Sequence, residues 1–186
     1  MKEDKTLYKE FLLGNIFAFE DLVIRHKDSL IYFISRYTGG DIYAAEDLAQ
    51  DVFAYIYVYK EKYNLKNSFK TFIFTLGRNK AIDYVRKQSR LTMMDFGEDK
   101  GRLISDQESL EDKIVRDEEK DLLLQSMKLL NPDYRRAIYL ADFEELSYQE
   151  IGEILGKNQN QVKVLIHRAR SRLKDLVRKG AGDNED

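Results

Sequence analysis

Proline occurs once in this chain of 186 residues, at Pro132, and the Asn-Gly pair of tight β-hairpins does not occur. A chain so poor in turn punctuation does not suit an all-β fold. Its apolar residues instead recur at three- and four-residue spacing, the period of a half-buried helix. Cysteine is absent and histidine occurs twice, which excludes disulfides, thiolate zinc sites and thiol catalysis. No apolar run approaches the roughly 18–20 residues of a membrane span. The start, Met1-Lys2-Glu3-Asp4, lacks the basic start and apolar stretch of a secretory signal. A cytoplasmic, all-α protein without metal or cofactor is expected.

The formal net charge of -2 conceals a strong pattern. Residues 60–90 carry nine Lys/Arg against two acids, and residues 91–121 carry five against eleven. Residues 131–155 carry two against six, and residues 157–179 carry eight against one. Two basic blocks in a near-neutral chain suit two separate anionic contacts, for which nucleic acid is the usual partner. Two solvated helix faces would give the same charges.

The first ninety residues hold nine of the twelve Tyr and eight of the ten Phe. Leu22, Ile24, Leu30, Ile31, Phe33 and Ile34 follow a helical period that stops at Thr38-Gly39-Gly40. Asp41 stands as an N-cap before a stripe of Leu48, Val52, Phe53, Ile56 and Tyr59. A polar break at Asn64–Ser68 precedes a third helix with Phe69, Phe72, Leu76, Ile82 and Val85. Residues 91–121 then read as an acidic linker, with a weak capping box at Ser109 and Asp112 near its end. Asn131-Pro132 starts a helix, Ser147-Tyr148-Gln149-Glu150 forms a capping box, and Gly156 ends the helix that follows. The expected organisation is a helical bundle over 1–90, the linker 91–121, a second small bundle over 122–179 and a polar tail, 180–186.

Three constellations carry chemistry. In residues 147–172, small Gly152, turn-forming Gly156 and branched Val162 have the spacing of a helix-turn-helix. Its second helix would present Asn158, Gln159, Asn160, Lys163, Val164, His167 and Arg168 to a major groove, with Arg170, Arg172 and Lys174 suited to phosphates. An ordinary helical hairpin with a basic outer face is the alternative. From Tyr63 to Lys87, cations alternate with aromatics, as in single-strand binding surfaces. Most of those rings fit a core stripe, whereas Asn64, Asn67, Ser68 and Asn79 could hold an unstacked base by its edge. Glu46, Asp47 and Asp51 share a short helical stretch, but adjacent Glu46 and Asp47 point about 100° apart and have no neighbouring histidine. An acidic face that docks a basic partner fits better than a metal site.

Ala45-Glu46-Asp47-Leu48-Ala49-Gln50-Asp51-Val52-Phe53, then Phe69 to Asp83, then Leu146 to Ile151 with His167-Arg168-Ala169-Arg170, in that order, resemble the extracytoplasmic-function (ECF) sigma factors of bacterial RNA polymerase. The resemblance runs from about Phe19 to Leu176. It implies that Asp47, Leu48, Gln50 and Asp51 dock on the coiled coil of the polymerase's largest subunit. It further implies that Asn64, Leu65, Lys66, Asn67, Ser68, Phe69 and Asn79 recognise a flipped base of the minus-ten element, with Arg78 and Lys80 on the strand backbone. Asn160, Lys163, Val164, His167, Arg168 and Arg170 would engage the minus-thirty-five element. Such a protein performs no bond chemistry, has no catalytic residues, and is commonly held inactive by a membrane-associated anti-sigma partner. The chain departs from the family at Gln161, Val164 and Leu165, where Thr, Ser and Arg are frequent, so its upstream base preference does not transfer. Phe72 stands in place of a frequent Trp.

Two other readings compete. A two-domain helix-turn-helix regulator with an N-terminal sensor would leave the 46–53 and 60–90 segments unexplained. A nucleic-acid enzyme working through Glu46, Asp47 and Asp51 would require a divalent metal. Reach favours the two-site reading: promoter elements two helical turns apart are separated by ~70 Å, and 31 residues extend to ~100 Å. The linker's acids could cover the basic blocks in the free protein.

Overall fold

The computed structural model describes residues 2–95 and 118–182, and all regular structure among them is helical. The chain divides into two compact units, residues 1–109 and 110–186.

The first unit contains α1 (Asp4–Leu12), α2 (Ile16–Ser35), α3 (Ile42–Val58), a short 3₁₀ turn (Lys60–Lys62) and α4 (Phe69–Asp95). Leu22, Leu30, Phe33 and Ile34 of α2 meet Val52 and Ile56 of α3 and Ile73 and Phe74 of α4 in the core. Asp41 caps α3 as its position suggests, accepting from the Ala44 N–H at 3.0 Å. Gly77 lies where α4 crosses α2, since a Cβ there would stand 2.8 Å from Leu30 Cδ1. Of the expected α3 stripe, Tyr59 is exposed, because α3 ends at Val58 and Tyr59 leaves the helical path as its C-cap; Ala45 and Ala49 join the buried stripe.

Helix α1 lies ahead of the first helix expected from sequence. Leu7, Tyr8 and Phe11 are buried, and Gly14, at φ 101°, turns the chain from α1 into α2. Asp4 fastens α1 to α2 through Arg25 and through His26 Nε2, which lies 2.7 Å away. Burial pushes the Asp4 carboxyl up, but the hydrogen bond and charge of His26, with the Arg25 guanidinium, outweigh it and hold the group below its ordinary value.

The second unit contains α5 (Glu118–Lys128), α6 (Pro132–Ile138), a π turn (Tyr139–Phe143), α7 (Tyr148–Leu155) and α8 (Gln159–Gly182). Met127, Leu130, Ile138 and Ala169 form a buried cluster, with Tyr134, Leu173 and Leu176 packed on it. Asn131 caps α6 by accepting from the Tyr134 N–H at 2.9 Å, with Pro132 in the first turn. Ser147 and Glu150 close their capping box reciprocally, at 2.9 and 3.3 Å.

Helices α4 and α5 reach to Asp95 and back to Glu118, so nine residues expected in the linker are helical. Likewise α8 runs to Gly182, so the tail's first residues are helical, and Gly180 lies against α5, where a Cβ would meet Leu122 Cδ1 at 2.5 Å. The expected capping box at Ser109 and Asp112 lies outside the described residues.

Gly152→Ala is expected to destabilise the chain by about 1–3 kcal/mol, because its Cβ would stand 2.5 Å from the Lys157 backbone carbonyl, which cannot step aside. Gly77→Ala meets side-chain tips and gains helix propensity of about 1 kcal/mol, so urea denaturation should show the smaller loss. Asp4→Asn should cost about 1 kcal/mol at neutral pH. A carboxyl held low stabilises the fold above its ordinary value of 3.8, and the contribution disappears as pH falls through the lower folded value. A gap of equal size at pH 3 and pH 6 would exclude the ion pairs as its cause.

Candidate nucleic-acid interface

On the first unit, the α3 residues singled out from sequence border an open groove of about 630 Å³ that also includes Asp41, Ala44, Ala54 and Tyr84 of α4. Asp47, Gln50 and Asp51 are exposed and Leu48 is half-buried. The groove therefore offers carboxylates around a small apolar strip of Ala44, Leu48 and Ala54, a form that accepts a basic, amphipathic partner. Lys80 Nζ stands 3.1 Å from Asp51 Oδ2, so the acidic helix and the basic face of α4 adjoin.

The loop between the 3₁₀ turn and α4 holds Asn64 to Ser68. Asn64 Oδ1 accepts from the Lys66 N–H at 3.0 Å, the backbone Asn67 N–H donates to the Asn64 carbonyl at 3.0 Å, and Ser68 Oγ accepts from the Thr71 N–H at 3.3 Å. The Ser68 hydroxyl thus caps α4, while Asn64, Lys66 and Asn67 are exposed and Leu65 is half-buried.

Phe69 corrects the sequence reading. It is 2% exposed and packs against Tyr8, Tyr63 and His26, so it supports the loop from beneath and has no face for a base. Tyr63 and Phe74 are likewise buried, which removes most of the suggested stacking surface. Asn79 is exposed beside half-buried Arg78, whose Nη1 donates to Asn79 Oδ1 at 3.4 Å. Ten helical residues separate Phe69 from Asn79, a rise of about 15 Å.

On the second unit, the helix-turn-helix has the three features its spacing requires. Gly156 adopts φ 67°, Val162 is fully buried, and Gly152 leaves room for the Lys157 carbonyl. Val162, Ile166 and Ala169 face inward. Asn160, Lys163, Val164, His167 and Arg168 are all exposed at the i, i+3, i+4, i+7, i+8 spacing of one helix face. Val164, a branched apolar side chain at 48% exposure, sits in the middle of that face.

Two polar residues expected to read or grip DNA have partners within the protein. Asn158 Oδ1 accepts from the Gln161 N–H and Gln161 Oε1 from the Asn158 N–H, each at 2.9 Å. This reciprocal box caps α8, so Asn158 is a structural residue and Gln161, a departure from the family pattern, closes the cap. Arg170 donates from Nε to Asp142 at 3.3 Å and from Nη2 to the other carboxylate oxygen. That hydrogen bond raises the Arg170 pKa further above its ordinary value. Asp142 lies in the π turn, which is stabilised by the Tyr139 hydroxyl donating to Glu144 at 2.6 Å and is followed by Glu145 at φ 54°. The sequence carried no signal for this pair, which spans 28 residues.

Residues 22–91 match the sigma-70 region 2 family and residues 120–173 the sigma-70 region 4 family. The ECF RNA polymerase sigma factor SigW of Bacillus subtilis is 32% identical over 182 residues, covering 94% of this chain and 96% of SigW. The ECF RNA polymerase sigma factor SigE of Mycolicibacterium smegmatis is 30% identical across 89% of this chain and 64% of its own length. Among solved structures, the sigma factor RpoE of Bartonella quintana, in complex with the anti-sigma factor NepR, has a similar fold. Its TM-score is 0.68 at 22% identity, over 86% of this chain and 96% of that one. Two sigma regions in order, with 32% identity to SigW over nearly the whole of both chains, place the chain in the family of ECF sigma factors of RNA polymerase.

Proposed function

We propose that this ECF sigma factor, which directs RNA polymerase to its start sites, divides promoter recognition between its two units. The observation that carries the reading is the presence of a separate basic surface, exposed or half-exposed, on each unit. One comprises the 64–68 loop and Arg78–Lys80; the other is the outer face of α8. The α3 groove, with Asp47, Leu48, Gln50 and Asp51, docks on the coiled coil of the polymerase's largest subunit. Asn64, Lys66 and Asn67 hold a flipped minus-ten base, Asn79 contacts the strand further along, and Arg78 and Lys80 follow its backbone. Asn160, Lys163, Val164, His167 and Arg168 read the minus-thirty-five element.

The chain acts by binding alone. Unstacking costs a few kcal/mol per base, which the loop and basic strip offset by gripping the strand once it is open. The RpoE relative is seen with an anti-sigma factor, and a partner of that class would hold this chain inactive, at the membrane where the partner is anchored. The chain then works in the cytoplasm once released.

Purified chain with core polymerase on genomic DNA should give transcripts from defined starts. Tight duplex binding without polymerase, and no defined starts with it, would favour the two-domain regulator. Leu48→Ala is expected to weaken core binding about tenfold, measured by fluorescence anisotropy, with duplex binding unchanged. Lys163→Ala should lose about 1–3 kcal/mol of discrimination at one upstream base pair. Arg170→Ala should instead lower the melting temperature while leaving base preference in place.

A further inference from the structure

The minus-ten loop and the turn before it are anchored by two buried phenols, one of them supplied by α1. Tyr8 is fully buried, and its hydroxyl donates at 2.8 Å to the carbonyl of Lys60, the first residue of the 3₁₀ turn that leads to the loop. Tyr63 is 6% exposed, and its hydroxyl donates to the Asn67 carbonyl at 2.6 Å, where the loop ends. The two rings meet edge-on at 4.6 Å, and both contact Phe69, at 5.5 Å each. Tyr63 also lies against Phe72 at 5.1 Å, and His26 against Phe69 at 5.5 Å.

The aromatic cluster is thus a platform; the Tyr63 hydroxyl attaches the loop to it, and the Tyr8 hydroxyl attaches the turn before the loop. A loop of polar residues has several accessible conformations, and ordering it on binding costs free energy that a preordered loop has already met. The Asn67 carbonyl bonded by Tyr63 belongs to the same residue whose exposed side chain faces outward for a base. Fixing that carbonyl fixes the peptide plane from which the side chain departs. The Tyr63 hydroxyl is pushed up to about 12 by burial and by the Asp4 charge, so it remains a donor throughout the working pH range.

We propose that Tyr63, with Tyr8 of α1, is a positioning residue for minus-ten base recognition: its hydroxyl holds the Asn64–Ser68 loop in the conformation that discriminates the flipped base. The proposal rests on the assignment of that loop to the minus-ten element.

The test uses holoenzyme reconstituted from core polymerase and the full chain. The probes are four fluorescent non-template oligonucleotides from a promoter located by its transcript start, differing only at the flipped position. Tyr63→Phe keeps the ring and removes one hydrogen bond. It should reduce the ratio of best-base to worst-base affinity about three- to tenfold, with core binding and minus-thirty-five duplex binding unchanged. Tyr8→Phe should reduce the same ratio to a smaller extent, since it frees only the start of the 3₁₀ turn before the loop. A Tyr63→Phe chain that melts at lower temperature yet keeps the wild-type ratio within twofold would overturn the proposal, because a purely structural hydroxyl moves stability alone. Asn64→Ala with Asn67→Ala separates the two levels. If that pair leaves the ratio intact, the loop assignment itself fails. If it abolishes the ratio and Tyr63→Phe does not alter it, only the positioning role fails.

Discussion

A helix can bury one stripe, and the width of that stripe decides what its remaining face is free to do. Both units depend on this constraint. In α4, Phe69, Ile73, Phe74, Gly77 and Ala81 turn inward and leave Arg78, Asn79 and Lys80 toward the surface. In α8, the inward Val162, Ile166 and Ala169 leave Asn160, Lys163, Val164, His167 and Arg168 outside. Each proposed nucleic-acid surface is therefore the complement of a core stripe. A residue cannot belong to both, which is why Phe69 and most neighbouring aromatics serve the core although their spacing among cations resembles a stacking surface.

The features legible in the sequence are those specified by neighbours along the chain. The caps at Asp41, Asn131 and Ser147, the left-handed Gly156 and the plug Val162 each need only a few consecutive residues, and all stand where the pattern puts them. The apolar period likewise indicated the helices whose stripes face one core. Less legible was any interaction that closes over distance. Arg170 reads as one more cation in a basic run until Asp142 arrives from 28 residues away. Asn158 and Gln161 form a capping box with amide side chains, and the same chemistry had suggested base reading. Helix α1 had a signal in Leu7, Tyr8 and Phe11, but a nine-residue helix is too short to be stable alone. It exists because Asp4 and Tyr8 bind it to α2 and to the Lys60 carbonyl.

The same distinction separates the parts of the candidate site. The proposed contact residues on α3 and on α8 each come from a single helix, so the face each set shares was legible in the sequence. The 64–68 loop does not come from one element. Its shape depends on α1, on the 3₁₀ turn and on the start of α4, and its support includes residues as distant as Tyr8 and His26. Lys80 shows how such closure changes a role. Beside Asp51 it belongs both to the basic strip and to the edge of the acidic groove. An exposed pair of this kind contributes about 0–1 kcal/mol, little enough for a phosphate to replace the carboxylate. The position of Lys80, held by α4, matters more than the strength of its ion pair.

Helix extension also tightens the link between the two surfaces. The sequence assigned 31 residues to the linker, but α4 and α5 take nine of them, leaving residues 96–117. Twenty-two residues reach at most ~73 Å at ~3.3 Å each, against the ~70 Å of two turns of duplex. Every residue that joins a helix shortens that reach, because its rise falls from ~3.3 Å to ~1.5 Å. The bare 22-residue span is close to that distance, where 31 residues gave about thirty ångströms more. Part of the reach passes to α4 itself, which rises ~24 Å from Asn79 to its end at Asp95.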